Sequence, residues 1–256
     1  MPTTLCFDFG NTRLKSAVFE NDVIKEVVVL ENDTPDAIRP LVEKYKPSRS
    51  ILSSVIRHNV ETETFLAAHT QFHKLGHHSQ LPFTSPVGKP ETIGADRLAI
   101  CAAAVKLFPH QHNLAIGLGS CITYNYISPV HEFLGGSISP GLNMRFRAMH
   151  EQTALLPLVS PENRFPLIGY DTKTNILSGV ILGMAKEIDG IIDAYALKYS
   201  NFNVLLTGGD MGFFVSHLKN RIFADPYLIF KGLYAISEYN SGQALPGSIS
   251  NRNHPA

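Results

Sequence analysis

The sequence predicts an α/β protein made of two similar halves, each a mixed sheet flanked by helices. Three observations carry this. Three strand-like runs are followed by alternating helix and strand, the order of a sheet with antiparallel early strands and parallel later ones. The same opening of strand, Gly-polar turn, strand, turn, strand then restarts near residue 113. Of the 256 residues 44% are apolar and 17% charged, which suits a compact chain with much buried surface and excludes a disordered one.

The first half opens on an apolar run at 5–9, turns at Gly10-Asn11-Thr12 and resumes at 14–19. Asn21-Asp22 marks a second turn, and the valine-rich run 23–30 is a third strand. Thr34-Pro35 reads as a helix cap followed by proline at the first helical position, and Ile38, Leu41, Val42 and Tyr45 keep the helical period. A strand at 50–56 and a short helix at 61–68 follow. Residues 76–92 hold Gly76, Pro82, Pro86, Gly88 and Pro90 and read as a loop. Gly94-Ala-Asp-Arg97 opens a helix of strong formers that Pro109 ends.

In the second half, a strand at 113–118 leads into the turn Gly119-Ser120, and strands at 121–127 and 132–139 follow, the last running through Gly135-Gly136. A helix from Asn143 to near His150, a proline-containing loop at 157–168 and a long helix over 171–200 come next. A buried-type strand at 203–206 ends in Thr207-Gly208-Gly209-Asp210. The last strand is expected at 227–230, the last helix at 233–239, and a frayed tail at 251–256. The expected domains are 1–110 and 111–256.

Lysines and arginines number 22, as do the acids, so the formal charge is +0. That gives no basic surplus for a nucleic acid and no polybasic run for an anionic membrane. No stretch approaches the about 18 uncharged apolar residues of a membrane-spanning helix. The N-terminus lacks the charged and apolar regions of a signal peptide. Cys6, Cys101 and Cys121 are scattered through apolar stretches and read as buried thiols in a reducing cytoplasm. His69, His73, His77 and His78 cluster without an acid or cysteine at ligand spacing, and read as a solvated face or loop.

Aligning 4–11 with 113–120 lays Gly10-Asn11 over Gly119-Ser120 and Asp8 over Gly117. Each turn alone could be an ordinary hairpin. Two of them at equivalent points of two halves, facing each other over a cleft, would pair backbone N–H nests suited to phosphate oxygens.

Asp8-Phe-Gly-Asn-Thr12 at the head of the first of two such halves resembles the sugar kinase and actin superfamily. Within it the chain resembles the type III pantothenate kinases, also called the Bvg accessory factor family. The resemblance spans nearly the whole chain. It rests on that motif, Gly94-Ala-Asp-Arg97, Gly135-Gly-Ser-Ile-Ser-Pro-Gly141, Ala154-Leu-Leu-Pro157, Gly169-Tyr-Asp-Thr172, Ser178-Gly179 and Thr207-Gly-Gly-Asp210, in that order and spacing. It implies two ribonuclease H-like domains and a cytoplasmic homodimer. The implied reaction is ATP-dependent phosphorylation of pantothenate to 4′-phosphopantothenate, the first step of coenzyme A biosynthesis.

The resemblance also implies roles. Asp96 is the catalytic base for the primary hydroxyl, where local sequence alone would allow a first-turn acid favoured by the helix dipole. Arg97 presents a planar donor fork to substrate oxygens, and Gly94, Gly136 and Thr172 line the same substrate. Asp8 stands beside the ATP phosphates, where a carboxylate is repelled unless a cation intervenes, so it implies Mg²⁺ held through water. Gly10, Asn11, Thr12 and Lys15 serve the phosphates, and Gly119, Ser120, Thr207, Gly208 and Gly209 form the second phosphate and nucleotide side. Asp210 caps the next helix.

The chain departs from the family pattern at its second turn. The usual Asp-x-Gly-Thr, with a further aspartate about eight residues after the first, is here Gly117, Ser120 and Asn125. The family's potassium or ammonium site would keep only the Asn125 carbonyl oxygen. Pro86-Val87-Gly88 stands where relatives often carry a tyrosine. These departures motivate an alternative, a catalytically weakened homologue that binds nucleotide or pantothenate in a regulatory role. A kinase for another small hydroxyl compound is a third reading.

Overall fold

The computed structural model describes residues 2–241, so the tail at 251–256 lies outside them. The described parts of Met1–Pro82 and Phe230–Ala256 form one compact unit, and Phe83–Ile229 forms the other.

The first unit contains β1 (Thr3–Phe9), β2 (Leu14–Glu20), β3 (Val23–Leu30), α1 (Pro35–Tyr45), β4 (Arg49–Ser54), α2 (Val60–His69) and β5 (Gln71–Lys74). Its sheet has the order β3-β2-β1-β4-β5. β1 pairs antiparallel with β2 and parallel with β4. β1 is buried almost throughout because both faces are covered. On one face Leu5, Phe7, Phe9 and Leu52 meet Ile38, Leu41, Val42 and Leu66 of the two helices. On the other, the C-terminal helix α7 (Leu228–Asn240) returns, with Tyr234 stacked on Phe19 at 4.6 Å and Glu238 paired with Arg49. Pro35 opens α1 as expected and a left-handed Lys46 ends it.

The second unit contains α3 (Ala95–Leu107), β6 (His112–Leu118), β7 (Cys121–Ile127), β8 (Phe133–Pro140), α4 (Leu142–Glu151), α5 (Thr172–Lys198), β9 (Phe202–Thr207), α6 (Met211–Phe214) and β10 (Phe223–Ala224). Its sheet, β10-β9-β6-β7-β8, repeats the first in order and direction. The sequence alignment is realised in the pairing. Asp8 lies between Lys15 and Ser53, and Gly117 between Thr123 and Thr207. α5 lays Ile176, Val180, Ile181, Met184, Ile188 and Ile192 against the core that includes Leu114, Ile116 and Leu118. α3 is apolar nearly all round and correspondingly buried.

Several elements differ from expectation. Residues 227–230 are not a strand. The last strand is Phe223–Ala224, and Leu228 begins α7. The Tyr227 N–H is taken by Asp225 Oδ1 at 2.8 Å, which closes a turn there. A short apolar run such as 228–230 reads equally as strand or buried helix by pattern alone. The histidine segment is also more ordered than a loop. His69 ends α2, and His73 lies on β5 with Nε2 2.7 Å from Ser79 Oγ. Among the described residues no group of three His, Cys, Asp or Glu is placed to hold a metal. Contacts do not divide the chain at residue 110, because α3 packs on β6 and β7 while most of α7 joins the first unit.

Candidate active site

In the second unit the N-terminus of α3 carries the two residues of greatest chemical interest. Gly94 is its extended N-cap, with no side chain to close the turn, so the backbone carbonyl of Gly94 receives Arg97 N–H at 3.0 Å. Asp96 follows in the first turn, partly buried. Burial pushes its carboxyl above the usual aspartate range, against the opposing pull of the Arg97 N–H and guanidinium. An acid serving only the helix dipole would be shifted the other way. A carboxylate of raised basicity is a better proton acceptor near neutral pH.

Arg97 is tied down. Its Nε donates to Asn125 Oδ1 at 2.7 Å, and its guanidinium carbon lies 5.5 Å from the centre of the Phe133 ring. Asn125, on β7, is fully buried and donates through Nδ2 to Ala115 O at 3.0 Å and to Thr123 Oγ1 at 3.3 Å. Sequence reading missed this pair. The Asn125 oxygen, expected at a cation, accepts from Arg97.

Two backbone segments converge on the second turn. The Asp210 N–H donates to Leu118 O at 3.1 Å, and the Gly141 N–H to Ser120 O at 3.1 Å. Gly208 has a φ of +106°, and a Cβ there would lie 2.2 Å from Leu118 O. A Cβ on Gly141 would lie 2.3 Å from Gly119 O. The turn Gly119-Ser120, the loop Thr207-Gly208-Gly209-Asp210 and the start of α4 are therefore one assembly that only glycine permits. Gly136 brings β8 flush against β7, where its Cβ would fall 1.9 Å from Tyr124 O. Asp210 occupies the N-cap position of α6, but its side chain makes no capping bond.

Gly117 is buried beside Thr207 and contributes no side-chain oxygen. Its would-be Cβ position is already crowded by Thr123 Oγ1 at 2.9 Å and Ile100 Cδ1 at 3.3 Å. Thr172 is the exposed first residue of α5, set there by the Asp171–Thr174 capping box. No contact among the described residues joins it to Asp96 or Arg97.

The first unit holds the other turn. Asp8 is flanked in the sheet by Lys15 and Ser53, all on one face. The Gly10 N–H closes the turn on Arg13 O at 3.1 Å, leaving Asn11 and Thr12 exposed at its tip. Ser53 is fully buried and its Oγ has no hydrogen-bond partner. The Asp8 carboxylate and the unsatisfied Ser53 hydroxyl are oxygen donors of the kind a hard divalent cation and its waters fit, with Lys15 beside them on the same face.

The chain matches the family model for type III pantothenate kinase over residues 4–194. It is 40% identical over 238 residues to a type III pantothenate kinase of Flavobacterium johnsoniae, covering 92% of this chain and 97% of that protein. To one of Bacteroides fragilis it is 41% identical over 246 residues, covering 93% and 99%. Among solved structures it is similar to one described as a Baf family transcriptional activator from Campylobacter jejuni. That similarity has a TM-score of 0.60 at 21% identity, over 93% of this chain and 98% of the other. A glucokinase from an Antarctic psychrotroph is similar with a TM-score of 0.50 at 10% identity, over 93% and 99%. The two structures speak to the two-unit α/β fold, and the curated relatives with the family model speak to membership. This chain belongs to the type III pantothenate kinase family.

Proposed function

We propose that the protein transfers the γ-phosphoryl group of ATP to pantothenate, giving 4′-phosphopantothenate and ADP, the first step of coenzyme A biosynthesis. The observation that carries this is the head of α3, where a carboxyl made more basic by burial stands next to an anchored arginine. As the primary hydroxyl oxygen bonds to the γ-phosphorus, the bond to the β-phosphate bridging oxygen breaks. ADP leaves with those electrons, and the hydroxyl proton passes to the Asp96 carboxylate. The Arg97 Nη groups bind the substrate's carboxylate or amide oxygens. Gly94 and Gly136 let backbone approach the substrate closely.

Gly10, Asn11, Thr12 and Lys15 bind phosphate oxygens, and Gly119, Ser120, Thr207, Gly208 and Gly209 serve the nucleotide side. When bound with ATP, Mg²⁺ would neutralise phosphate charge. Asp8 would hold it through water, with the Ser53 hydroxyl as an added oxygen. Thr172 contacts pantothenate in a homodimer. Just before it in the chain Leu167, Ile168 and Tyr170 are 78%, 83% and 81% exposed, apolar side chains suited to a second copy of the chain. No helix among the described residues is long and apolar enough to cross a membrane, and the cytoplasm is the proposed location.

A monovalent cation does not fit the second turn. Gly117 offers no side-chain oxygen, Thr123 Oγ1 and Ile100 Cδ1 crowd the point where one would begin, and the Asn125 oxygen already accepts from Arg97. Turnover is therefore expected to be the same, within about twofold, in potassium, ammonium or sodium salts at equal ionic strength. A steady-state assay checks this, and a tenfold demand for potassium would refute it.

The reading as a whole is tested by supplying purified protein with ATP, Mg²⁺ and pantothenate and following 4′-phosphopantothenate by mass spectrometry. Absence of product overturns it in favour of the weakened, regulatory homologue that Gly117 motivates. A panel of small hydroxyl compounds, read by ADP release, tests the third reading.

A further inference from the structure

We propose that Asn125 is the positioning residue of the pantothenate site, fixing the direction of the Arg97 fork before substrate arrives. The inference rests on Arg97 being a substrate contact, and it adds a residue that makes no substrate contact of its own. An arginine in the first turn of a helix has a long side chain with many rotamers, and ordering it only on binding would weaken affinity. Here the order is built in. Nε–H can only donate and the Ala115 carbonyl can only accept, so the two bonds at 2.7 and 3.0 Å fix which end of the Asn125 amide faces Arg97. Nε is the inner nitrogen of the guanidinium. Its capture leaves the two Nη groups as the free fork, the pair that suits a planar carboxylate. Phe133 lies 5.5 Å from the guanidinium carbon and limits rotation of the group.

The site requires an amide and not an acid. An aspartate at 125 would turn its second oxygen toward Ala115 O, where Nδ2 now donates. That places two acceptors together in a fully buried position. Its charge would also satisfy Arg97 internally and weaken its pull on a substrate carboxylate. Both effects act in one direction, so Asn125→Asp does not recover a lost function.

The test compares Asn125→Leu, Asn125→Ala, Asn125→Asp, Arg97→Ala and the Arg97→Ala/Asn125→Leu double variant. Asn125→Leu and Asn125→Ala are expected to raise KM for pantothenate about 10- to 100-fold, the scale of a lost hydrogen bond to a charged group, and Asn125→Asp to raise it through the buried carboxylate's pull on Arg97, in each case with kcat and KM for ATP changed by less than about threefold. In the Arg97→Ala background Asn125→Leu should add nothing, because the coupled partner is already gone. Additive effects on KM in the double variant, or an unchanged KM in all three single variants at 125, overturn the proposal. Arg97→Ala with unchanged KM for pantothenate would instead overturn the substrate role of Arg97, and with it the functional half of the proposal. A substrate-free readout separates the two and covers variants that fold poorly. In ¹⁵N-resolved NMR of the unaltered protein the Arg97 Nε–H should exchange slowly with water, and rapid exchange overturns the positioning whatever the substrate.

Discussion

Asp96→Asn is expected to lower turnover by about 10²- to 10⁴-fold and to leave the protein at least as stable as before. The two halves of this expectation share one cause. Burial holds the folded-state pKa of Asp96 above that of the unfolded chain. The folded protein then binds more protons than the unfolded one between those two values, so stability falls as pH rises from the unfolded pKa through the folded one. At neutral pH the ionised carboxylate weakens the fold, and an uncharged amide of the same shape removes that cost. The same shift sets the pH profile. The acid limb of kcat/KM should lie above the ordinary aspartate range, rising with pH as Asp96 ionises, and should vanish from the residual activity of the variant. Steady-state rates and thermal melts at neutral pH check both halves. A variant that keeps its activity, or that melts well below the parent, would sink the assignment of Asp96 as a buried base.

Much of this site was legible because its signals are local. The strand, Gly-polar turn, strand pattern of 4–11 and 113–120 became β1–β2 and β6–β7, with Asp8 and Gly117 at matching registers. Gly94-Ala-Asp-Arg97 became a helix start in the expected place. The failures are non-local. β5 and β10 have 4 and 2 residues, too few to show a period, and exist through parallel pairing with strands far away in sequence. No local feature of α7 announces that it returns to the first sheet. The partner of Asn125 was hidden for a related reason. Read along the chain, it is an aspartate that is missing. In three dimensions its oxygen belongs to an arginine 28 residues away, through the packing of α3 on β7.

The packing of the second turn leads to the other large expectation, for Gly208→Ala. A methyl group there would meet the Leu118 carbonyl oxygen at 2.2 Å and its carbon at 2.5 Å, and both are backbone atoms that no rotamer change can move. The φ of +106° adds strain for any L side chain. Thr207 is fixed by its register with Gly117, so the relief must come from the loop side. There the bond from Asp210 N–H to Leu118 O would be lost. Strain, overpacking and the lost bond each contribute about 1–2 kcal/mol, together about 3–6 kcal/mol. That corresponds to a fall of about 10 °C in Tm for a chain of this size. Because the loop lifts from the Gly119-Ser120 turn, KM for ATP should rise more than KM for pantothenate. Gly209→Ala is the control for stability, since its Cβ meets nothing within 4 Å, and it should melt with the parent protein. If Gly208→Ala melted there too, the close approach of the 207–210 loop to the turn would not exist in solution. The nucleotide side would then need another explanation for its two glycines.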